Sequence, residues 1–578
     1  MAILGVDVGG TFTDAVLLDD GELRTAKVPT AARQEKSVLA AAREVGARGV
    51  ERFAHGTTVA TNALLERRGA RTAFVANDGF EHLLHLRRQT RAHLYRLCAE
   101  QPPPLVPLGR CHGVRGRLGP EGELEPLSLE TLPDLGEPEA VAVCLLFAFR
   151  DPSHERALAD ELRRRYPHAR VVASHEVAPE FREYERASTT AADAYLAPVA
   201  ARYLDALAHG AREAGLPEPL VMLSSGGVGS VGEAAAHPAT ILVSGPAGGV
   251  VGAGLVARHA GFEHALAFDM GGTSTDVCLL PGGRAARVAE RAVGGLPIRL
   301  PTVDLHTVGA GGGSLVRRDA GGAIRVGPES AGAHPGPAGY GAGGGPTVTD
   351  ANLLLDRLPS ELPGGLVLDR AAAVRALGDI DPAAVVEVVN AEMLRALRVV
   401  SVERGHDPRD FALVAYGGAG PLHACALAEE LGCEAVLVPR AAGVLSALGL
   451  VAGDERRDRV VSYVRPLAEV RDLPRDGEAD LRYVGQSFEL TVPIEDDLAG
   501  AFHRAHDERY GYADLEREIE LVAVRTADIV PGPAVSLVAT ERYSVEGPQV
   551  VELPGSTCWV PEGWSGETND DGTLVLRR

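Results

Sequence analysis

Hydrophobic and polar residues alternate in three short segments at the start of the chain, ILGVDV, FTDAVLL and ELRTAKV. An apolar–polar period of two is typical of β-strands that bury one face. A glycine turn separates the first two segments, and an acidic turn separates the second from the third. The pattern therefore predicts a three-stranded meander over residues 2–28.

Short apolar strands then alternate with amphipathic helices. The pattern predicts a helix over 34–45, a strand over 52–55, a helix over 58–66 and a strand over 72–76. A long helix is predicted over 183–213, and the strand pattern restarts at residue 219. Strands that lead into helices indicate parallel pairing, so we expect an α/β sheet with helices on its faces.

The organisation of the chain changes at two further points. Residues 318–346 are dense in glycine and proline, which predicts loop rather than regular structure. After residue 455 the pattern indicates strands around a helix near 498–510, followed by a small β element. Since 578 residues exceed one hydrophobic core, we expect three segments: residues 1–180, 181–455 and 456–578.

One glycine turn occurs twice. DVGGTFTD at 7–14 and DMGGTSTD at 269–276 share six of eight residues at a constant offset of 262. Each copy lies between two strands at the start of its own α/β unit. The repeat predicts a duplicated α/β fold in which both turns face one cleft and bind one ligand.

The residue types in these turns suit a nucleotide. Paired glycines allow a tight turn whose N–H groups converge on an anion, and threonine hydroxyls add donors for phosphate oxygens. The predicted phosphate-binding residues are Gly9, Gly10, Thr11, Thr13, Gly271, Gly272, Thr273 and Thr275. Asp7 and Asp269 precede the turns, where two carboxylates beside a triphosphate suit Mg²⁺, directly or through water. A plain hairpin turn is the alternative for either copy alone.

Two other glycine-rich segments are candidates for the same ligand. Gly417, Gly418 and Ala419 precede Pro421, which marks the first turn of a helix and suits an adenosine site. Gly248 and Gly249 lie at a second glycine-rich helix start. An ordinary loop between a strand and a helix is the alternative for both.

Three polar side chains outside the turns are further candidates. His55 ends a predicted strand, where it could serve catalysis, or could be satisfied by backbone beside a helix start. Asp304 and His306 alternate onto one strand face. They could form a metal pair or a base with its orienting acid, with a solvated strand end as the alternative.

Composition restricts the function. Hydrophobic residues make up 45% of the chain and no apolar run reaches the length of a membrane span, so we expect a soluble protein without a membrane partner. A net charge of −22 argues against a nucleic-acid partner.

Lys27 and Lys36 are the only lysines and neither follows a glycine loop, which excludes a Walker-type phosphate site. Seven cysteines without a CxxC pair indicate a cytoplasmic protein without a structural metal.

Longer motifs resemble one known family. The two hairpins and GGAGP resemble the phosphate and adenosine motifs of the actin, sugar kinase and Hsp70-type ATPases. More narrowly, the chain resembles the hydantoinase A / 5-oxoprolinase family in HGTTVATNALLERRGARTAFVANDGFEH, SGPAGGVVGA, FDMGGTSTDV, TVGAGGGS, YGGAGPLHACALAEELG and RYVGQSFELTVP. The resemblance implies duplicated actin-like (ribonuclease H-like) domains flanking a nucleotide cleft, with a small C-terminal α+β region.

The resemblance also implies an activity. Members hydrolyse cyclic amides such as hydantoin or 5-oxoproline with ATP and Mg²⁺. For this activity, the catalytic candidates in this chain are Asp7, Asp269 and His55. It implies an oligomer, often with a hydantoinase B-type second subunit. The alternatives are the ATP-using subunit of a ketone carboxylase and a non-enzymatic nucleotide-switched module.

The chain departs from the family pattern at two positions and at its C-terminal end. His334 and Gly339 stand where the family has an acid and a cysteine in ADPGPACYG. These changes leave the substrate open. The C-terminal region is also shorter than usual, which leaves open any contact with a second subunit there.

Overall fold

The computed structural model describes residues 1–96, 98–362, 365–539 and 541–578. Two large mixed sheets dominate the fold and are accompanied by a five-stranded sheet and by two-stranded hairpins. No helix within the described ranges is long and apolar enough to cross a membrane. The predicted α/β class is confirmed.

The first large sheet contains the predicted meander. Its ten strands are, in spatial order, Leu490–Pro493, Glu478–Tyr483, Ile519–Val530, Glu455–Pro466, Val228–Ser230, Leu220–Met222, Val50–Gly56, Ala2–Val8, Phe12–Asp19 and Glu22–Pro29. The second large sheet contains the repeated turn. Its eight strands are Leu305–Val308, Thr275–Leu280, Ala265–Met270, Ala412–Tyr416, Val436–Val438, Leu574–Arg577, Ser565–Thr568 and Ser544–Glu546.

The two large sheets repeat one local topology. In each sheet, the strand before the glycine turn and the strand after it form an antiparallel pair. The strand after the turn also pairs antiparallel with a third strand on its other side. On its other side the first strand pairs parallel with a strand that leads into a helix. The central strands Ala2–Val8 and Ala265–Met270 are almost wholly buried because helices cover both faces. The predicted duplication is present.

The smaller sheets lie outside this repeat. The five-stranded sheet runs Gly122–Ser128, Cys111–Gly119, Thr72–Asn77, Ala140–Val143 and Arg170–Ala173. The two-stranded pairs are Arg287–Val288 with Thr302–Val303, Arg291–Val293 with Leu296–Ile298, Ser314–Arg318 with Ile324–Ser330, Glu361–Leu362 with Leu366–Val367, and Gln549–Leu553 with Ser556–Val560.

The helices pack on the sheets. They are Gln34–Glu44, Val59–Leu65, Leu83–Leu86, Ser153–Arg165, Ser174–Val177, Glu183–Glu213, Val231–Ala236, Ser244–His259, Val348–Leu354, Arg370–Leu377, Pro382–Val400, Gly420–Leu431, Leu445–Ala452 and Leu498–Tyr510. The long helix occupies the predicted residues, with Pro198 inside it.

Glycines allow one helix to pack tightly between the two halves. A Cβ on Gly5 of the first strand would overlap the carbonyl of Ala447 in helix Leu445–Ala452. A Cβ on Gly449 of that helix would overlap the carbonyl of Gly248 in helix Ser244–His259. Only glycine, which has no Cβ, permits two backbones to approach this closely. The helix therefore fixes the position of the first strand relative to the second half.

Two regions differ from the expected pattern. Residues 318–346, predicted as loop, include the strand Ile324–Ser330, which pairs with Ser314–Arg318. Strands after residue 455 extend both large sheets, because Glu455 pairs with Val228 and Val436–Val438 pairs with Leu574–Arg577. Each large sheet therefore combines strands from different predicted segments, and the division into residues 1–180, 181–455 and 456–578 stays a prediction.

Candidate functional site

A row of three charged side chains crosses the first meander. Asp7 lies directly opposite Asp14, and Asp14 lies directly opposite Lys27 on the third strand. Residues directly opposite in antiparallel strands project from the same face, and neighbouring strands are about 4.8 Å apart. The three side chains therefore form a row on one face, with the lysine at its outer end.

The second hairpin carries a matching row. Asp269 lies opposite Asp276, which lies opposite Thr307. Thr307 Oγ1 donates a hydrogen bond of 2.5 Å to Asp276 Oδ1, and Arg291 donates one of 3.1 Å to Thr307 Oγ1. Sequence patterns singled out the first carboxylate of each row and missed Asp14 and Asp276 as site residues. The sequence did contain the information needed to select them, because both aspartates belong to the repeated motif.

The two glycine turns have the same geometry. The Gly9 N–H donates to the carbonyl of Phe12 at 2.9 Å, and the Gly271 N–H donates to the carbonyl of Ser274 at 3.1 Å. Both turns leave the second glycine and the following threonine exposed, namely Gly10, Thr11, Gly272 and Thr273. These four residues are therefore accessible to a bound anion.

The second threonine of each motif is buried. Thr13 Oγ1 lies 3.0 Å from Thr30 Oγ1, which donates to the carbonyl of Gly9. Thr275 Oγ1 donates a hydrogen bond of 2.6 Å to the carbonyl of Ala310. Both hydroxyls are thus engaged within the protein. We infer that they fix the turn, in place of the predicted contact with phosphate.

Asp7 lies where a strand end meets a helix start. A Cβ on Gly56 would overlap Asp7 Oδ1, and a Cβ on Gly245 would lie 3.5 Å from it. Helix Ser244–His259 begins beside the strand end because Ser244 Oγ donates to the carbonyl of Thr57 at 2.7 Å. Asp7 Oδ1 is buried without a hydrogen-bond partner. A buried carboxylate oxygen without a partner is suited to a ligand from outside the chain.

The surroundings of Asp269 follow the same plan. A Cβ on Gly417, whose φ is +80°, would overlap Asp269 Oδ1. The Ala419 N–H donates to the carbonyl of Met270 at 2.9 Å and begins helix Gly420–Leu431, while Gly418 faces open space. The predicted loop of Gly417, Gly418 and Ala419 therefore lies at the second carboxylate row.

A third glycine loop covers the second turn. The Gly312 and Gly313 N–H groups donate to the carbonyls of Gly271 and Gly272 at 2.9 and 2.7 Å. A Cβ on Gly311 would lie 2.7 Å from the backbone of Gly272. Residues 309–314 had no predicted role beyond the family resemblance, whereas in the structure they support the second turn.

Burial raises the pKa of Asp7 to about 7, and the negative charge of Asp14 adds to the increase. The pKa of Asp14 is also raised by burial, while Lys27 opposes the shift. Lys27 Nζ donates a hydrogen bond of 2.5 Å to Asp14 Oδ1. The first row therefore holds a carboxylate that titrates near neutral pH beside an ion pair.

Burial raises the pKa of Asp269 to about 8. The charges of Asp276, Asp7 and Asp14 add to this increase, and Lys27 opposes it. Two of these residues belong to the first row, so the rows lie within electrostatic reach of each other. This coupling agrees with the predicted arrangement of both turns around one cleft.

The carboxylates of the site are suited to Mg²⁺. Within the described ranges, no three histidine, cysteine, aspartate or glutamate side chains are grouped closely enough to enclose a metal ion. Mg²⁺ keeps several waters and takes one or two carboxylates beside substrate phosphates. The free Oδ1 of Asp7 and the nearby Asp269 carboxylate match that requirement.

His55, predicted as catalytic, is buried in the core. Its Nδ1 donates to the carbonyl of Val6 at 3.0 Å, so Nε2 accepts from the Tyr203 hydroxyl at 2.8 Å. Burial lowers the pKa of His55 to about 4, which keeps the ring neutral. With both nitrogens engaged, the side chain does not reach a ligand in this structure. The alternative, a satisfied core histidine, matches the geometry, and we infer that His55 holds the strand to the long helix.

The Tyr203→Phe variant tests this structural role. Removing the hydroxyl leaves buried His55 Nε2 without a donor, so we expect the free energy of unfolding to fall by about 1–3 kcal/mol. ATP turnover should change less than about threefold, because no ligand contact is lost. Urea unfolding measures the first effect, with Tyr95→Phe at a 90% exposed residue as the control. A large loss of turnover with unchanged stability would restore a catalytic role to His55.

Gly248 and Gly249 lie in a helix–helix contact. Both are buried within helix Ser244–His259. A Cβ on Gly248 would lie 3.0 Å from the carbonyl of Ser446, and one on Gly249 would lie 3.0 Å from the Tyr416 hydroxyl. These contacts give the two glycines a packing role, and their contact with the nucleotide stays a prediction.

Asp304 and His306 do not form a metal pair. Asp304 is held by both terminal nitrogens of Arg404. Burial lowers the pKa of His306, which is partly exposed on strand Leu305–Val308. Because the Arg404 guanidinium is already paired with the Asp304 carboxylate, a metal ion could bind this carboxylate only by displacing Arg404.

The two departures from the family pattern have different surroundings. His334 is exposed, whereas Gly339 is buried and donates a hydrogen bond of 2.6 Å to Asp350 Oδ1. A Cβ on Gly339 would lie 3.0 Å from the same oxygen. A larger side chain there would require Asp350 to move. His334 is therefore the departure available to a ligand.

The cysteines are free thiols dispersed through the fold. They are Cys98, Cys111, Cys144, Cys278, Cys425, Cys433 and Cys558. Burial raises the pKa of Cys111, Cys433 and Cys558 to about 12. These three thiols are therefore neutral near pH 7. The absence of a structural metal and a cytoplasmic location stay predictions.

Family models match most of the chain. The hydantoinase/oxoprolinase model matches residues 186–459, and the model of the hydantoinase/oxoprolinase N-terminal region matches residues 3–166. The chain belongs to the hydantoinase/oxoprolinase family, as its motifs indicated.

Similar proteins include enzymes and enzyme subunits. Caprolactamase subunit alpha of Pseudomonas jessenii is 32% identical over 99% of this chain and 98% of its own length. 5-oxoprolinase 1 of Arabidopsis thaliana is 34% identical over 82% of this chain, which spans 44% of that protein. Acetone carboxylase beta subunit of Xanthobacter autotrophicus is 30% identical over 78% of this chain and 69% of its own length.

A solved structure has the same fold. The crystal structure of ATP-dependent caprolactamase from Pseudomonas jessenii superimposes with a TM-score of 0.85 and 30% identity, covering 99% of each chain. The two halves, each with its glycine hairpin and parallel strand, confirm the predicted duplicated actin-like fold.

Proposed function

We propose that the protein uses ATP to open the ring of a cyclic amide of the hydantoin, 5-oxoproline or larger lactam type. The observation that carries this proposal is the pair of carboxylate rows, each beside an exposed glycine turn and within electrostatic reach of the other. The names of the caprolactamase and 5-oxoprolinase relatives support the substrate class.

The proposed chemistry explains the need for ATP. Resonance makes an amide carbonyl a poor electrophile, and transfer of the terminal phosphoryl group to its oxygen gives an activated imidate and ADP. Water then adds to the activated carbon and the ring nitrogen leaves, which gives an acyl phosphate. A second water releases phosphate and the carboxylate. The balance is one ATP and two waters for each ring opened.

The residues of the site take separate roles in this scheme. The exposed turns of Gly10, Thr11, Gly272 and Thr273 bind phosphate oxygens through backbone and hydroxyl donors. Asp7 and Asp269 would hold Mg²⁺, directly or through water, and would position the phosphate chain for in-line transfer. When bound, Mg²⁺ neutralises charge that develops on the transferred group. The loop of Gly417, Gly418 and Ala419 receives the adenosine.

The chain is also proposed to work with other subunits. The caprolactamase and carboxylase relatives are named as subunits, which supports a second chain of the hydantoinase B type in an oligomer. The chain's own rows supply the ATP site. The partner would complete the site where water attacks the activated ring.

A carboxylase subunit is the second candidate function. The relation to the acetone carboxylase beta subunit favours it. The same cleft would then phosphorylate an enolate or bicarbonate, and a partner would form the carbon–carbon bond. The two candidates differ in the substrate that stimulates ATP hydrolysis.

The deciding experiment measures ATP hydrolysis and organic product together. Hydantoins, 5-oxoproline, lactams and ketones are supplied one at a time, with and without a B-type subunit encoded nearby. One ring-opened amino acid per ATP supports the proposal, whereas ketone-dependent hydrolysis with carboxylated product supports the second candidate. ATP hydrolysis that responds only to a protein partner, without product, would indicate a nucleotide-switched module.

Binding of Mg²⁺ and ATP should stabilise the protein against unfolding. At about 100 times its dissociation constant the ligand adds about 2.7 kcal/mol to the free energy of unfolding. ATP with a chelator should stabilise the protein much less, because the carboxylates then face the phosphates without the divalent metal ion. Thermal unfolding measures both. No stabilisation by any nucleotide at millimolar concentration would contradict the shared cleft.

A further inference from the structure

The first carboxylate row ends on a lysine that reaches the second half. Lys27 Nζ donates to Asp14 Oδ1 at 2.5 Å and to the carbonyl of Gly443 at 3.3 Å. The adjacent Ala442 carbonyl accepts from the N–H of Gly417, which packs on Asp269. Lys27 is thus connected to the supports of both rows.

The choice of lysine at this position is unusual for this chain. Of the 57 basic residues, Lys27 and Lys36 are lysines and all others are arginines. Lys36 is exposed on helix Gln34–Glu44. Lys27 instead lies among the Asp14 carboxylate, the Gly443 carbonyl and the Phe12 ring, whose centroid is 5.4 Å away. A compact ammonium suits such a space better than a planar guanidinium.

The ammonium has donor capacity to spare. It carries three N–H groups, two of which are used by Asp14 and Gly443. Its side chain remains 33% exposed beside the cleft carboxylates. The equivalent position of the second row is Thr307, so the primary amine belongs to the first row alone. Its charge also opposes the rise in the pKa of Asp7 and Asp269.

We propose that Lys27 is a phosphate-binding residue of the nucleotide cleft, held ready by Asp14 and by the carbonyl of Gly443. This inference rests on the proposed function and adds to it the cation that contacts the polyphosphate. A cleft lined by four carboxylates repels a triphosphate unless cations offset them. Lys27 supplies one such positive charge from the chain itself.

Amine labelling tests this contact directly. The protein is acylated with a water-soluble N-hydroxysuccinimide ester, and mass spectrometry follows Lys27, with Lys36 and the Met1 amine as internal references. Magnesium–ATP or magnesium–tripolyphosphate at about ten times its dissociation constant should slow labelling of Lys27 about tenfold, because only unbound protein reacts. Labelling of Lys36 should stay constant, and adenosine should protect neither lysine. Equal protection by adenosine, or no protection by bound ATP, would overturn the inference.

Variants of the two lysines provide the second test. Lys27→Met should raise the Kd of magnesium–ATP about 10- to 100-fold by removing a charge-assisted contact. Lys27→Arg should recover part of the affinity, and Lys36→Met should bind as the wild type does. If Lys27→Met binds ATP normally, the inference fails and the proposed function stands. If the wild type binds no nucleotide, the proposed function itself fails. The labelling test needs no variant, so it decides the matter even if Lys27→Met does not fold.

Discussion

Asp7→Asn and Asp269→Asn are each expected to lower ATP turnover by about 10²–10³-fold while leaving the fold intact. Each substitution is nearly isosteric and removes one negative charge from the row that faces the phosphates. The two aspartates occupy equivalent positions in the repeated hairpins, so both should be needed. ATPase turnover measures the loss, and circular dichroism checks the fold.

The double variant separates one shared site from two independent sites. Groups that act as a unit are strongly non-additive, so removing both should cost little more than removing one. Independent sites would give losses that multiply. Asp205→Asn, exposed on the long helix, is the matched control and should retain full turnover. A fully active Asp7→Asn enzyme would mean that the first copy is only a turn.

The repeated hairpins could be predicted because the information is local. A glycine pair between two alternating segments specifies a turn and its flanking strands within about twenty residues, and two copies imply a duplicated fold. The boundaries of the long helix Glu183–Glu213 could be predicted for the same reason. Both depend on periodicity and on turn residues alone.

The direction of His55 could not be read from the sequence. A strand end places a side chain on one of two faces, and the face is decided by which helix covers it. Here Tyr203, 148 residues away, lies against the histidine. Gly248 likewise belongs to a contact with Ser446, nearly two hundred residues later. Long-range packing decided both cases.

The two carboxylate rows could be recognised only after the pairing register of the strands was known. Asp14 and Lys27 align with Asp7 only because the two intervening turns have the lengths they do, and a slip of one residue would point Lys27 to the opposite face. The motif contained Asp14 but gave no reason to select it. The role of Lys27 as the charge partner of Asp14 became visible only in the structure.

Ligand-free protein is expected to lose stability as pH rises from about 4 to 8, and part of that loss should disappear in Asp7→Asn and Asp269→Asn. The folded-state pKa values are about 7 for Asp7 and about 8 for Asp269, against 3.8 for an ordinary aspartate. At low pH both states are protonated and burial of these groups costs nothing. As pH rises, the unfolded chain ionises first, so stability falls until pH passes the folded-state value.

The size of this loss of stability follows from the pKa shifts of Asp7 and Asp269. One pKa unit corresponds to about 1.36 kcal/mol, and partial solvent access reduces the full value to roughly 2–4 kcal/mol for each residue. Asparagine cannot ionise, so at pH 8 each variant should exceed the wild type in free energy of unfolding by roughly that amount. At pH 4 the gap should be close to zero. Urea unfolding at both pH values measures the difference between variant and wild type, which cancels other titrating groups.

Magnesium–ATP should reverse the order of stability at pH 8. The ionised carboxylates bind the metal–nucleotide complex, so its addition stabilises the wild type by mass action and stabilises the variants much less. An equal pH dependence in wild type and both variants would show that the two carboxyls are solvated and unperturbed. The expected reversal would mean that the two carboxylates lower the stability of the ligand-free protein at pH 8 and that binding of magnesium–ATP offsets this cost.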